Sequence, residues 1–167
     1  MKIKEVLSKS NKPEMLSIME TSPKYFNDAI KLAVSDEQPY SWRAAWLLTH
    51  FVKQNDLRIK GYTKNIIDAV NDKKDGHQRE LIKIILQMDL TEEDEGIFFN
   101  TCMNIWENVN KSSSVRVVAF KFISKIAKKY PELSEEIISI TQAHYLKSLS
   151  PGIRKSVYKM IEKYKIY

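Results

Sequence analysis

Six lysines in the last third of the chain have the types and spacing to do chemistry: Lys121, Lys125 and Lys128, then Lys155, Lys159 and Lys163. Within each set the residues recur every three or four positions, so each set lies on one face of a helix. Lys121 pairs with Lys159, and Lys125 with Lys163, at a constant separation of 38 residues. Neighbouring helices pack about 8–10 Å apart, so two such rows in register make one cationic patch. Its chemistry is electrostatic recognition of a polyanion or of an acidic protein segment. A solvated lysine face that keeps the chain soluble is the plainer reading of the same pattern. Nucleic-acid surfaces interleave aromatics with the cations; here only Tyr158 and Tyr164 are near, and both fit a core position.

Other reactive residue types are scattered. His50, His77 and His144 lie far apart with no clustered Cys/His/carboxylate spacing, so no metal site is expected. Cys102, the single cysteine, excludes an intramolecular disulfide and sits in a helical stretch beside Met103 as a small buried hydrophobe. Thr91-Glu-Glu-Asp-Glu95 places acids in a first helical turn behind a threonine cap, which is favourable capping. Trp42, Trp46 and Phe51 give one helix an aromatic flank, expected to fill space between repeats rather than to hold a cofactor. No glycine-rich phosphate loop and no local Ser/His/Asp arrangement occurs, so nothing argues for an enzyme or a cofactor.

The elements that must position these residues follow from composition and pattern. A chain of 167 residues is one domain long and buries roughly 70% of its unfolded surface. The net charge of +6 is unevenly spread: residues 1–110 carry 15 Lys/Arg against 17 Asp/Glu, and residues 111–167 carry 12 against 4. No stretch approaches the roughly 18 apolar residues of a membrane span. The charged start, Met1-Lys-Ile-Lys-Glu, lacks the apolar run of a signal peptide, so a cytoplasmic protein is expected.

Pro13, Pro23, Pro39, Pro131 and Pro151 all stand where helices begin, the position that tolerates a missing N–H. Periodicity and capping residues predict about ten helices, near 2–9, 13–20, 23–34, 41–54, 61–71, 76–88, 92–109, 114–129, 132–149 and 151–165. The strongest is 114–129, where Val115, Val118, Ala119, Phe122, Ile123, Ile126 and Ala127 form one broad apolar face. Nothing reads as a strand, and the class is all-α.

Arg43, Arg79, Arg116 and Arg154 each follow a turn-forming cluster and open an apolar stripe, at intervals of 36, 37 and 38 residues. The partner helices echo the period: Tyr25, Ile30 and Ala33 align with Tyr62, Ile67 and Val70 at 37. Two helices per unit at this period is the pattern of an α-solenoid. Val115-Arg-Val-Val-Ala119 resembles the opening of the second helix in HEAT repeats. That resemblance, which belongs to the armadillo-type families, implies a right-handed α-α superhelix of four to five helix pairs. Residues 22–167 supply four pairs and residues 1–21 a capping pair, within one domain.

It further implies that each arginine pairs with an acid at the preceding turn and bridges neighbouring turns. Asp36 or Glu37 suits Arg43, Asp72 or Asp75 suits Arg79, Glu107 is a looser partner for Arg116, and Arg154 has none. The segment Trp106–Asn110 faintly resembles HEAT-like DNA alkylation repair glycosylases, in which an Asp follows the Trp by four residues. Asn110 stands at that place, and a neutral amide cannot stabilise a cationic sugar as a carboxylate does. The expected function is a small non-enzymatic scaffold that binds another protein through the concave face of its second helices. Nucleic-acid or acidic-peptide binding by the lysine patch is the alternative, and no membrane association is expected.

Overall fold

The computed structural model describes the backbone of residues 2–164 and the side chains of residues 2–162. The described residues are all-α, with twelve α-helices and one 3-10 turn and no strand. They fall into two compact units, Met1–Leu90 and Thr91–Tyr167.

The first unit holds α1 (Ile3–Lys9), α2 (Lys12–Thr21), α3 (Pro23–Ala33), α4 (Tyr40–Phe51), α5 (Leu57–Lys60), α6 (Thr63–Val70) and α7 (Asp75–Leu86). Helix starts follow local chemistry. Asn11 and Glu14 form a reciprocal capping box before α2, and the Asp56 carboxylate accepts from the Arg58 N–H to open α5. Helix α3 pairs with α4 and α6 with α7, while α4 lies against α7. First helices therefore flank a layer of second helices. Ile30, Ala33, Ile67 and Val70, aligned by the 37-residue period, are all buried. Asn55 adopts a positive φ of 51°, which asparagine tolerates, and its N–H reaches the Gln87 carbonyl at 2.8 Å.

The second unit holds α8 (Glu92–Glu107), α9 (Ser113–Lys129), a 3-10 turn (Pro131–Leu133), α10 (Ser134–Ile140), α11 (Ala143–Leu146) and α12 (Pro151–Tyr164). Helix α9 is its centre: it packs on α8, α10 and α12 and buries Val115 through Ala127 on nearly every side. Phe98 against Phe122 and Trp106 against Phe120, with centroids 4.6 and 4.5 Å apart, fill the α8–α9 contact.

Two expectations are corrected. The single helix over 132–149 is instead a 3-10 turn and two short helices broken at Thr141-Gln142. The Thr141 hydroxyl and the Gln142 amide both donate to the Ile138 carbonyl, at 3.0 and 3.1 Å, competing with the backbone ladder. The loop expected over 55–60 contains the four-residue α5, held by the Asp56 cap. The expected end of the last helix at Lys165 lies outside the described residues.

Candidate functional site

The repeat arginines occupy different environments in the two units. Arg116 is fully buried. Its Nε donates to the Trp106 carbonyl at 2.8 Å, Nη2 to the Tyr145 carbonyl at 2.7 Å and Nη1 to the Ser148 hydroxyl at 2.9 Å. The guanidinium also sits 4.6 Å from the centre of the Trp106 ring. Burial lowers its pKa, yet four groups share its charge. The Trp106 indole N–H donates to the Ile140 carbonyl at 2.9 Å. Arg154 donates to the carbonyls of Leu146, Lys147 and Leu149 at 3.0–3.2 Å. Carbonyls freed where the 132–149 region breaks are thus taken up by side chains from α8, α9 and α12. That answers where an irregular buried backbone finds its hydrogen bonds.

In the first unit Arg79 donates through Nε to the buried Glu80 carboxylate at 2.8 Å. Glu80 also meets the Lys83 ammonium at 3.2 Å and the Thr49 hydroxyl at 3.3 Å, tying α7 to α4. Arg43 donates from Nη1 to the Leu7 carbonyl at 3.3 Å. The acids foreseen for Arg43 are engaged elsewhere, Asp36 with Lys73 and Glu37 with Lys4. Arg116 and Arg154 likewise use carbonyls, because the helix ends they face present unpaired acceptors and no acid.

The lysine rows fall on helices that are packed neighbours, α9 and α12. Along α9 the outward strip runs through half-buried Val117, exposed Lys121, half-buried Lys125 and exposed Lys128, and on α12 Lys155 and Lys159 are exposed. The side chains of Lys163 and Tyr164 lie outside the described residues. Tyr158 is not in the core: it is 51% exposed, on the same helix as Lys155 and Lys159. Trp106 is sealed in the core, and Asn110 is exposed beyond the end of α8, so the Trp106–Asn110 spacing forms no cleft.

Three features were not anticipated from the residues alone. Glu95 does more than favour the start of α8: it is buried and holds the Lys129 ammonium at 2.8 Å and the Tyr130 hydroxyl at 2.9 Å. With Glu92, Glu136, Phe99 and Leu133 it borders a cleft of about 410 Å³. His77 is buried. Its Nε2–H donates to the Ala33 carbonyl at 2.7 Å while Nδ1 accepts from Gln38 at 3.0 Å, and burial lowers its pKa. Trp42 and Trp46 are half-buried and wall a cavity of about 310 Å³ beside Arg43. The first two lacked a signal; the third had one in the i, i+4 spacing around an arginine. Cys102 is buried, and burial raises its thiol pKa well above the usual value.

Paired helices with second helices packed on one another define a helical-repeat protein, a class that works through the surfaces its rigid helices present. The family model described as HEAT repeat domain matches residues 1–164, and the chain belongs to that family. No curated protein and no solved structure matches it. No helix among the described residues is long and apolar enough to cross a membrane.

Proposed function

We propose that the chain is a non-enzymatic binding and scaffold module, a single repeat domain whose first 21 residues form a cap. It docks an acidic segment of a partner protein, in the cytoplasm, along the outward strips of α9 and α12. The observation that carries this reading is the exposure of α9. A helix otherwise buried on almost every side opens to solvent along a strip of one valine and three lysines, beside a neighbour that adds Lys155 and Lys159. Rigid helices hold these ammonium groups at fixed spacing, so little order is lost on docking.

The half-exposed Tyr158 beside Lys155 and Lys159 favours a second reading, single-stranded nucleic acid stacked on an aromatic within a cationic groove. Fluorescence anisotropy at about 50 mM salt, with a labelled glutamate-rich peptide and with single- and double-stranded DNA and RNA, separates the two. Binding of the peptide, abolished by Lys121→Glu/Lys125→Glu/Lys159→Glu, supports protein docking. Nucleic-acid binding that falls steeply with salt moves the assignment to the second reading, and no binding of either defeats both.

A further inference from the structure

Arg43, Arg79, Arg116 and Arg154 share a register but differ in how much of the guanidinium is used. Arg116 has three hydrogen bonds and a ring, Arg154 three carbonyl contacts, and Arg79 a buried carboxylate. Arg43 has one long hydrogen bond, to the Leu7 carbonyl. A guanidinium carries five N–H donors in a planar fork that matches a carboxylate with two parallel bonds, so most of Arg43's donor capacity is uncommitted.

That unused fork borders the cavity of about 310 Å³ between α1–α2 and α4, walled by Trp42, Trp46, Met15 and Leu7 with Ser10 at its edge. Trp42 and Trp46 stand one turn apart on the same side of α4, with the arginine between them in sequence. No lining side chain is acidic. The Lys12 ammonium, 5.8 Å from the Trp46 ring centre, adds further positive charge. Among the described residues, four clefts elsewhere do have acids in their lining, Glu20 beside Lys53 and Arg58 in one and Glu14 in another, and the remaining two differ in kind from this cavity. The one at Glu95 has three carboxylates and no lining cation, and the one near His77 balances Asp36 and Asp72 against Lys73 and Lys74.

We propose that this cavity docks a short partner segment in which a carboxylate stands next to a bulky apolar side chain. The carboxylate takes the free donors of Arg43, and the apolar group enters between the indoles and Met15. A cavity at the small end of ligand-pocket volumes suits one side chain. A nucleic-acid strand needs a track of cations, whereas Arg43 is the one cation among the residues lining this site. The proposal rests on the reading of the chain as a protein-binding module but uses a different surface, so the lysine reversals on α9 and α12 leave it intact.

The three tryptophans give three indole N–H signals in a nitrogen-15 correlation spectrum, with Trp106, hydrogen-bonded and buried, as the internal reference. Titrating acetyl-Asp-Phe-amide is expected to move the Trp42 and Trp46 signals and not that of Trp106. Acetyl-Asn-Phe-amide should bind about tenfold more weakly, the usual scale for one charge-assisted pair. Arg43→Gln should erase the difference between the two peptides. Met15→Trp, which fills the cavity and leaves Arg43 in place, should abolish binding of both and keeps the test valid should Arg43→Gln fail to fold. The lysine-reversed protein should bind like the parent. The proposal is overturned if the two signals do not move at millimolar peptide, if both peptides bind the parent protein equally, or if uridine monophosphate moves the signals and the peptides do not.

Discussion

Arg43 in the first unit and Arg116 in the second open equivalent second helices, yet one is half-open to solvent and the other is sealed. The difference lies in what each faces. Arg116 meets a broken stretch of chain whose carbonyls have lost their helical partners, and it supplies donors to two of its groups and to the end of α8. Arg43 meets the last turn of the short, unbroken α1, where it takes the one carbonyl of Leu7, so the guanidinium keeps most of its donors. A repeat position fixes where a side chain stands; the neighbouring segment decides whether that side chain is consumed by structure or left for a ligand.

The largest effect is expected at the sealed site. Arg116→Met takes the donor from the buried Trp106 carbonyl and the half-buried Tyr145 carbonyl and the cation from the Trp106 ring, while the exposed Ser148 hydroxyl turns to water. It should cost about 3–5 kcal/mol in urea unfolding, since each orphaned group is worth about 1–3 kcal/mol and such losses do not fully add. Trp106→Phe keeps most of the ring and removes the N–H that satisfies the Ile140 carbonyl. A loss of about 1–3 kcal/mol in the same assay is expected.

Much of the second unit was legible in the sequence because α9 declares itself. Ser112 caps it, apolar residues recur at helical spacing, and lysines mark the opposite strip. The break at Thr141-Gln142 was not legible, since both residues are tolerated in helices. The partners that stabilise the break, Trp106 and Arg116, lie some thirty residues away in sequence. The lysine strip could be read from i, i+4 spacing alone. The cavity at Trp42 and Trp46 depends on how closely α1 and α2 approach α4, which no local pattern encodes. For the same reason Glu95 read as a capping acid, when Lys129 and Tyr130 from the far end of α9 make it a tertiary anchor.

Two smaller effects sharpen the contrast from the first unit, where charged groups rather than carbonyl-capping arginines carry the loops. The Arg58 guanidinium beside Asp56, together with N–H groups of Arg58 and Lys53, holds the Asp56 carboxyl at about 2. A depressed carboxylate stabilises the fold above its unfolded pKa of about 4, and the contribution disappears as pH falls from about 4 towards 2. Asp56→Ala should cost about 1–2 kcal/mol at neutral pH and flatten the acid limb of a stability–pH curve. Burial depresses His77, so the unfolded chain binds the proton more readily. Stability should therefore fall as pH drops below about 6.5, with Asp36 and Lys73 acting on the same ring in opposite directions. His77→Gln, measured by thermal unfolding between pH 5 and 8, should reduce that slope, the remainder coming from His50, which burial also depresses.

The smallest effect is expected at Arg43, and its comparison with Arg116 is the most direct test. Arg43→Met and Arg116→Met, unfolded side by side in urea, should differ by at least about 2 kcal/mol. Arg43→Met should fall within about 1 kcal/mol of the parent, the worth of a single neutral-acceptor hydrogen bond at a half-exposed site. Equal losses at the two positions, or a larger loss at Arg43, would contradict the claim that the same register holds a sealed structural arginine in one unit and an available one in the other.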